Sequence, residues 1–130
     1  MKRKGIMRIG ITVWGNIISP VFDAARTMLV ADVHTDGIVN KEKYWLHAGS
    51  PVLQVETLRR TGVNVLICGA ISEVPANMIE GAGIRLIPFI RGNVEEVLNA
   101  YLRQQLPTAD FMMPGCGNRR RRRRRGRFRQ

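Results

Sequence analysis

Val63-Asn64-Val65-Leu66-Ile67-Cys68-Gly69-Ala70-Ile71-Ser72 is the stretch on which the fold turns. From Val63 to Cys68 every residue except Asn64 is apolar. A run with so little alternation suits an interior parallel strand covered on both faces. Gly69 makes the turn that follows, and Ser72 is a helix N-cap residue. Parallel strands need long, usually helical crossovers, so helices are expected on both sides. Upstream, Ser50 caps a helix with Pro51 at its first position; Val52, Leu53, Val55 and Leu58 form its apolar face, and Gly62 ends it. Downstream, the helix opened by Ser72 tolerates Pro75 in its first turn and stops at Gly83. Ile84 to Ile90 is the next strand, and Asn93-Val94-Glu95-Glu96 resembles a capping box opening a third helix of about ten residues.

The first third of the chain has a different rhythm. Ile9, Ile11 and Val13 alternate with Arg8, Gly10 and Thr12, which predicts a strand over 7–14. Gly15, Asn16, Ser19 and Pro20 break the pattern, and a short helical turn is expected at 21–27. Met28 to His34 and Ile38 to Leu46 are two strands joined by Asp36-Gly37, a hairpin signal because both residues tolerate positive φ. The expected class is α/β, a five-stranded mixed sheet in spatial order 3-2-1-4-5 flanked by helices, with right-handed crossovers. Leu106 to Phe111 reads as irregular. The expected organisation is an extension over 1–6, one domain over 7–113 and a Cys/Arg-rich tail over 114–130.

Composition supports one globular domain. The chain has 130 residues, 45% hydrophobic and 24% charged, enough for a core and too apolar for wholesale disorder. No apolar run reaches the ~18 residues that would span a bilayer, so no membrane partner is expected. The net charge of +11 is concentrated: nine arginines stand between Arg119 and Arg129 with no acid among them, and residues 1–118 are nearly neutral. Lys2-Arg3-Lys4 before an apolar stretch loosely imitates an export signal, but Arg8 interrupts it and its period is that of a strand. The two cysteines, Cys68 and Cys116, are no disulfide framework, so free thiols and a cytoplasmic setting are expected.

In this topology one edge of the sheet collects the chemistry. Open α/β sheets bind ligands beyond the carboxyl ends of parallel strands, where the chain leaves in opposite directions. That edge gathers Trp14, Asn16, Ser19 and Pro20; Gly69, Ala70, Ile71 and Ser72; and Arg91, Gly92 and Asn93. A helix N-terminus there favours an anion, although neither dinucleotide nor P-loop glycine pattern is present, and a tight turn with a capping serine is the plainer reading. Cys68, with His47 on the same edge, supplies soft ligands for iron–sulfur or copper chemistry. These are too few for a closed zinc site, and a buried strand residue is the plain reading of Cys68. Cys116 in Pro114-Gly115-Cys116-Gly117 is exposed, and a cysteine there is either incidental or a ligand. A Cys68–His47 nucleophilic pair lacks an orienting third residue. Asp23, Asp32 and Asp36 form no two-metal cluster. The arginine run would hold nucleic acid nonspecifically by counterion release, but Phe128 is its one aromatic, so base stacking has little support.

Several segments together resemble the dinitrogenase iron–molybdenum cofactor biosynthesis family, the domain of NifX and the NifB C-terminus, which also includes the orange protein. Ile11-Thr12-Val13-Trp14-Gly15 with Ile18-Ser19-Pro20-Val21-Phe22-Asp23-Ala24-Ala25 is similar to its opening. Gly62 through Ser72 is similar to its central strand and turn; Ala82 through Pro88 and Gly92 through Leu98 are similar to its last strand and helix. Met113-Pro114-Gly115-Cys116-Gly117 before an arginine run resembles the tail of one subgroup. The resemblance covers about 7–117 and implies a ribonuclease-H-like fold. It further implies a non-catalytic protein that binds or carries iron–molybdenum cofactor or another metal–sulfur cluster (Fe, Mo or Mo/Cu), transiently, between donor and acceptor proteins. On that reading Cys68, Cys116 and His47 are the candidate metal ligands. The alternative is a nucleic-acid-associated adaptor acting through the arginine tail.

Overall fold

The computed structural model describes residues 7–35, 37–104 and 111–113. Strand β1 (Met7–Trp14) turns at Gly15-Asn16 into a two-residue strand, β2 (Ile17–Ile18), which pairs back on it. A 3-10 turn (Phe22–Ala24) leads to β3 (Thr27–His34) and β4 (Gly37–Trp45). Then follow α1 (Pro51–Thr61), β5 (Val65–Ile67), α2 (Glu73–Gly81), β6 (Arg85–Ile87) and α3 (Val94–Leu102). The sheet path is β4-β3-β1-β5-β6, with β2 paired to β1 off this path. β3 is antiparallel to β1 and β4, whereas β1, β5 and β6 are parallel.

Alternation along β1 divides the core in two. Ile9, Ile11 and Val13 join Val65 and Ile67 of β5 beneath Val94, Val97 and Leu98 of α3. On the opposite face Met28, Val30 and Leu66 pack with Val55 and Leu58 of α1 and Ile79 of α2. The molecule is thus three layers, one helix, the sheet and two helices. β5 is apolar throughout because both of its faces are roofed. Gly10 lies under this packing: a Cβ there would stand 3.0 Å from the Met28 sulfur and 3.2 Å from a Val63 methyl.

The helix ends follow their local signals in two cases of three. The Ser50 hydroxyl accepts from the Leu53 amide, Pro51 opens α1, and Gly62 closes it at φ 73°. The Asn93 side chain accepts from the Glu96 amide at 3.1 Å. Ser72 stands at the N-cap of α2, but its hydroxyl caps no amide of that helix.

The sheet differs from expectation in several places. It has six strands instead of five, because Gly15 at φ 67° lets Ile17–Ile18 fold back on β1. The expected helical turn at 21–27 shrinks to Phe22–Ala24, since Thr27 already pairs with Val13 and Trp45. The strand expected over 84–90 ends at Ile87: Pro88 has no amide to donate, and Phe89 adopts φ 63°. Asp36 of the hairpin, the extension 1–6 and the tail 114–130 lie outside the described residues. No helix among the described residues is long and apolar enough to cross a membrane.

Among the described residues two buried side-chain oxygens are left without a partner, Gln54 Oε1 and Thr12 Oγ1. Thr12 is fully buried and its Oγ1 makes no hydrogen bond. Thr12→Val keeps the shape and removes that desolvated hydroxyl. It is expected to raise stability by ~1 kcal/mol in denaturant unfolding. A loss of stability of similar size would show that the hydroxyl has a partner in solution.

Candidate functional site

The parallel strands β1, β5 and β6 all point to one edge of the sheet, called here the upper edge. The segments leaving them are bonded to one another through their backbones. The Ile18 amide donates to the Gly92 carbonyl and the Val94 amide to Asn16, each at 2.9 Å. On the other side of the same crossing segment, the Ala70 amide donates to Pro20 at 2.8 Å and the Phe22 amide to Ala70 at 2.7 Å. Gly69 accepts from the Phe89 amide at 2.9 Å. Residues 15–22 therefore run as a bridge across the top of β5, with 92–94 on one flank and 70 on the other.

Gly69 makes this crossing possible. A Cβ on it would lie 2.4 Å from the Pro20 carbonyl oxygen and 2.5 Å from that of Ser19. Both obstacles are backbone, so neither can swing away. Within the bridge Ser19 is buried, whereas Asn16 and Pro20 are exposed, as is Trp14 just before it.

The chain returns to this edge after α3. Ile90 and Met112 form an antiparallel bridge; the Arg91 amide donates to Phe111 at 2.7 Å and the Met113 amide to Phe89 at 2.9 Å. Arg91 is exposed, and its Nε donates to the Met112 carbonyl at 3.2 Å. This return over 111–113, part of it expected to be irregular, places the last described residue on the rim. Gly92, at φ 125°, would bring a Cβ to 3.2 Å from the Phe111 ring.

Asp23 has a role that no local pattern announced. Its carboxylate accepts from the Ser72 amide at 3.1 Å and also from the Ser72 hydroxyl. The start of α2, for which the sequence favoured a tight turn with a capping serine over an anion site, thus has an anion supplied by the chain itself. The physical logic is unchanged, since the helix dipole and its free amides attract a carboxylate as readily as a ligand. Asp23 is held in turn: Gln54, fully buried on α1, donates through Nε2 to the carbonyls of Phe22 at 3.1 Å and Asp23 at 3.4 Å. Asp32, by contrast, pairs with Arg8 at 2.8 Å near the far end of the sheet.

The two described candidate soft ligands differ in burial. Cys68 is 0% exposed and packs with the core shared by α1 and α2. Burial pushes its thiol up, and the Asp23 charge adds to the shift, so the thiolate that binds metals is strongly disfavoured in this arrangement. His47 is exposed in the loop between β4 and α1. That loop is tied to the 23–26 segment through the Leu46 amide to Arg26 and the Gly49 amide to Asp23, each at 2.9 Å. A buried thiol and an exposed imidazole on different loops do not make a nucleophilic pair. Cys116 lies outside the described residues. Among the described residues no three His, Cys, Asp or Glu side chains gather as a metal site.

The rim, its glycine crossing and the sheet beneath it can now be set beside known proteins. The family model for the dinitrogenase iron-molybdenum cofactor matches residues 5–104. The chain belongs to that family. No curated protein sequence matches it significantly. Solved structures share the fold at low identity. PH0822 superposes with a TM-score of 0.73 at 16% identity, covering 79% of this chain and 95% of that one. A putative dinitrogenase from Methanocaldococcus jannaschii gives 0.65 at 16%, covering 77% and 91%. The apo orange protein from Desulfovibrio gigas gives 0.65 at 22%, covering 82% and 96%. The family links this chain to iron–molybdenum cofactor biosynthesis, and the structural likenesses speak to the fold alone.

Proposed function

We propose that this protein is a non-catalytic carrier that holds an iron–molybdenum-type or related metal–sulfur cluster (Fe, Mo or Mo/Cu) at the upper edge. It acts in the cytoplasm between a cluster donor and an acceptor, and its sheet is read as ribonuclease-H-like. The observation that carries the proposal is the joining of 14–20, 69–72 and 91–93 into one backbone-bonded rim in a chain of this family. Arg91 offers positive charge to an anionic cargo there. Trp14 at the end of β1 and Asn16 and Pro20 on the bridge are exposed there, while Gly69, Ala70, Ile71, Ser72, Gly92 and Asn93 form the rim that positions them. His47 and Cys116 are the ligands this reading favours, with Cys68 serving the core. The segment carrying Cys116 follows Met113 directly and so starts at the rim. A small ligand set suits a cargo that must later leave.

The test is anaerobic reconstitution of the full chain with iron, molybdenum, copper and sulfide, followed by metal and sulfide analysis and an absorption spectrum. Stoichiometric metal with sulfide-to-metal absorption is expected. Cys116→Ser is expected to weaken retention about tenfold or more at an unchanged Tm. Failure of the wild-type chain to hold stoichiometric metal overturns the reading. Full retention by Cys116→Ser removes Cys116 from the ligand set.

A further inference from the structure

Among the described residues, two that are not glycine stand at positive φ. Gln104, at φ 62°, follows the last turn of α3, where helices commonly end in the left-handed conformation. Phe89, at φ 63°, ends no helix. It stands two residues beyond Ile87 of β6, as Gly69 stands two beyond Ile67, the partner of Ile87 in β5. A bulky side chain in this region is a backbone outlier that glycine would avoid. The conformation persists because the segment is held from both sides. The Phe89 amide donates to Gly69 and the Met113 amide to the Phe89 carbonyl, each at 2.9 Å. The Ile90 amide donates to Cys68 at 3.0 Å and the Arg91 amide to Phe111 at 2.7 Å. All of these bonds use backbone atoms, so glycine at position 89 would serve the turn with less strain. Core packing does not call for the ring either. It is half-buried, yet among the described residues it is part of neither hydrophobic core, whereas Phe111 and Met112 beside it pack on the core beneath α3.

Strained residues that neither the turn nor the core requires are kept at sites of function. Phe89 is at such a place, bonded to Gly69 on one rim segment and two residues before Arg91 on the other. We propose that, on the carrier reading on which this rests, Phe89 touches the cargo and selects sulfide-bearing metal anions over oxyanions. An aromatic ring is electropositive at its edge, and sulfur is soft and polarizable, so the sulfide of a cluster gains from meeting that edge. An oxyanion such as molybdate keeps its water through hydrogen bonds, and a phenyl ring offers it none in exchange. Arg91 attracts an anion of either kind. Phe89 favours the one that leaves water readily.

The experiment reconstitutes the full chain anaerobically with iron, molybdenum, copper and sulfide, and separately with molybdate alone. Wild type, Phe89→Ala and Phe89→Gly are compared by metal retained in equilibrium dialysis and by Tm. The wild type is expected to hold the sulfide-bearing metal about tenfold or more tighter than molybdate. Both variants are expected to lose about tenfold of that retention and to leave molybdate uptake unchanged. Phe89→Gly is expected to melt about 4 °C above Phe89→Ala, the reverse of the usual order, and no lower than the wild type. Wild-type retention by either variant overturns the inference. So does a Phe89→Gly Tm below that of the wild type, which would make the ring a packing residue, or a Tm below that of Phe89→Ala. An equal loss of molybdate uptake also overturns it, since the defect would then lie in the shape of the rim. A wild-type chain that holds no metal overturns the carrier reading and this role together; a wild type and variants that hold it equally overturn this role alone.

Discussion

Gly69→Ala is expected to lower stability by about 3 kcal/mol and the Tm by roughly 10 °C. The added methyl would sit 2.4 Å from one carbonyl oxygen and 2.5 Å from another, and both belong to the backbone bridge over β5. Relief requires the bridge to lift, which breaks the Ala70-to-Pro20 and Phe22-to-Ala70 bonds that seat it. Phe22, fully buried, would be pulled from the core with it. The damage should therefore appear in function as well: a lifted bridge separates Asn16 and Pro20 from Arg91 to Asn93. Gly81→Ala is the control, because a Cβ on this last residue of α2 meets nothing within 4 Å. It is expected to be neutral or to stabilise by up to about 1 kcal/mol. Thermal denaturation of the two variants decides the matter. Equal Tm values would show that the crossing is not tight in solution.

Deleting 119–130 is expected to abolish most retention on single-stranded RNA while leaving the domain's Tm unchanged. Nine basic and ten acidic residues stand between positions 7 and 118, so that stretch of sequence has no net positive charge to draw phosphate. The removed segment holds nine arginines. If all nine neutralised phosphates, the logarithm of the affinity would fall with the logarithm of salt at a slope of about −6, at ~0.7 per contact on a single strand. A filter-binding series at several salt concentrations measures the slope and its loss. Specific binding that survives the deletion would assign the domain itself to nucleic acid.

How far the sequence could be read depends on the range of the interactions involved. α1 and α3 were legible because their stop and start signals act within one turn. Ser50 reaches Leu53, Asn93 reaches Glu96, and Gly62 adopts the left-handed conformation at its own position. β1 and β5 were legible because alternation, or its absence, reports how many faces a strand buries. The signal failed where a strand is too short to show a period. Ile17–Ile18 has two residues, and its pairing depends on the turn at Gly15-Asn16. It failed again after Ile87, where Pro88 and the positive φ of Phe89 end a run that is still apolar in composition.

The residues of the rim came from the sequence as a set of segments, because strand direction alone assigns loops to an edge. Their chemistry came only with the tertiary structure. Asp23 stands 49 positions from Ser72, and nothing near either residue indicates that the carboxylate will take the amide and hydroxyl at the start of α2. Cys68 has the same neighbours in sequence whether its sulfur faces the rim or the core; the pairing of β5 between β1 and β6 and the helices laid over it decide for the core. Local order is written in propensity, capping and period, which act over a few residues and can be read in line. Burial, charge pairing and close backbone approach depend on which distant segments the fold brings together. The sequence by itself therefore determined the longer elements and the edge, and the packing decided the short strand β2, the end of β6 and which side chains that edge presents.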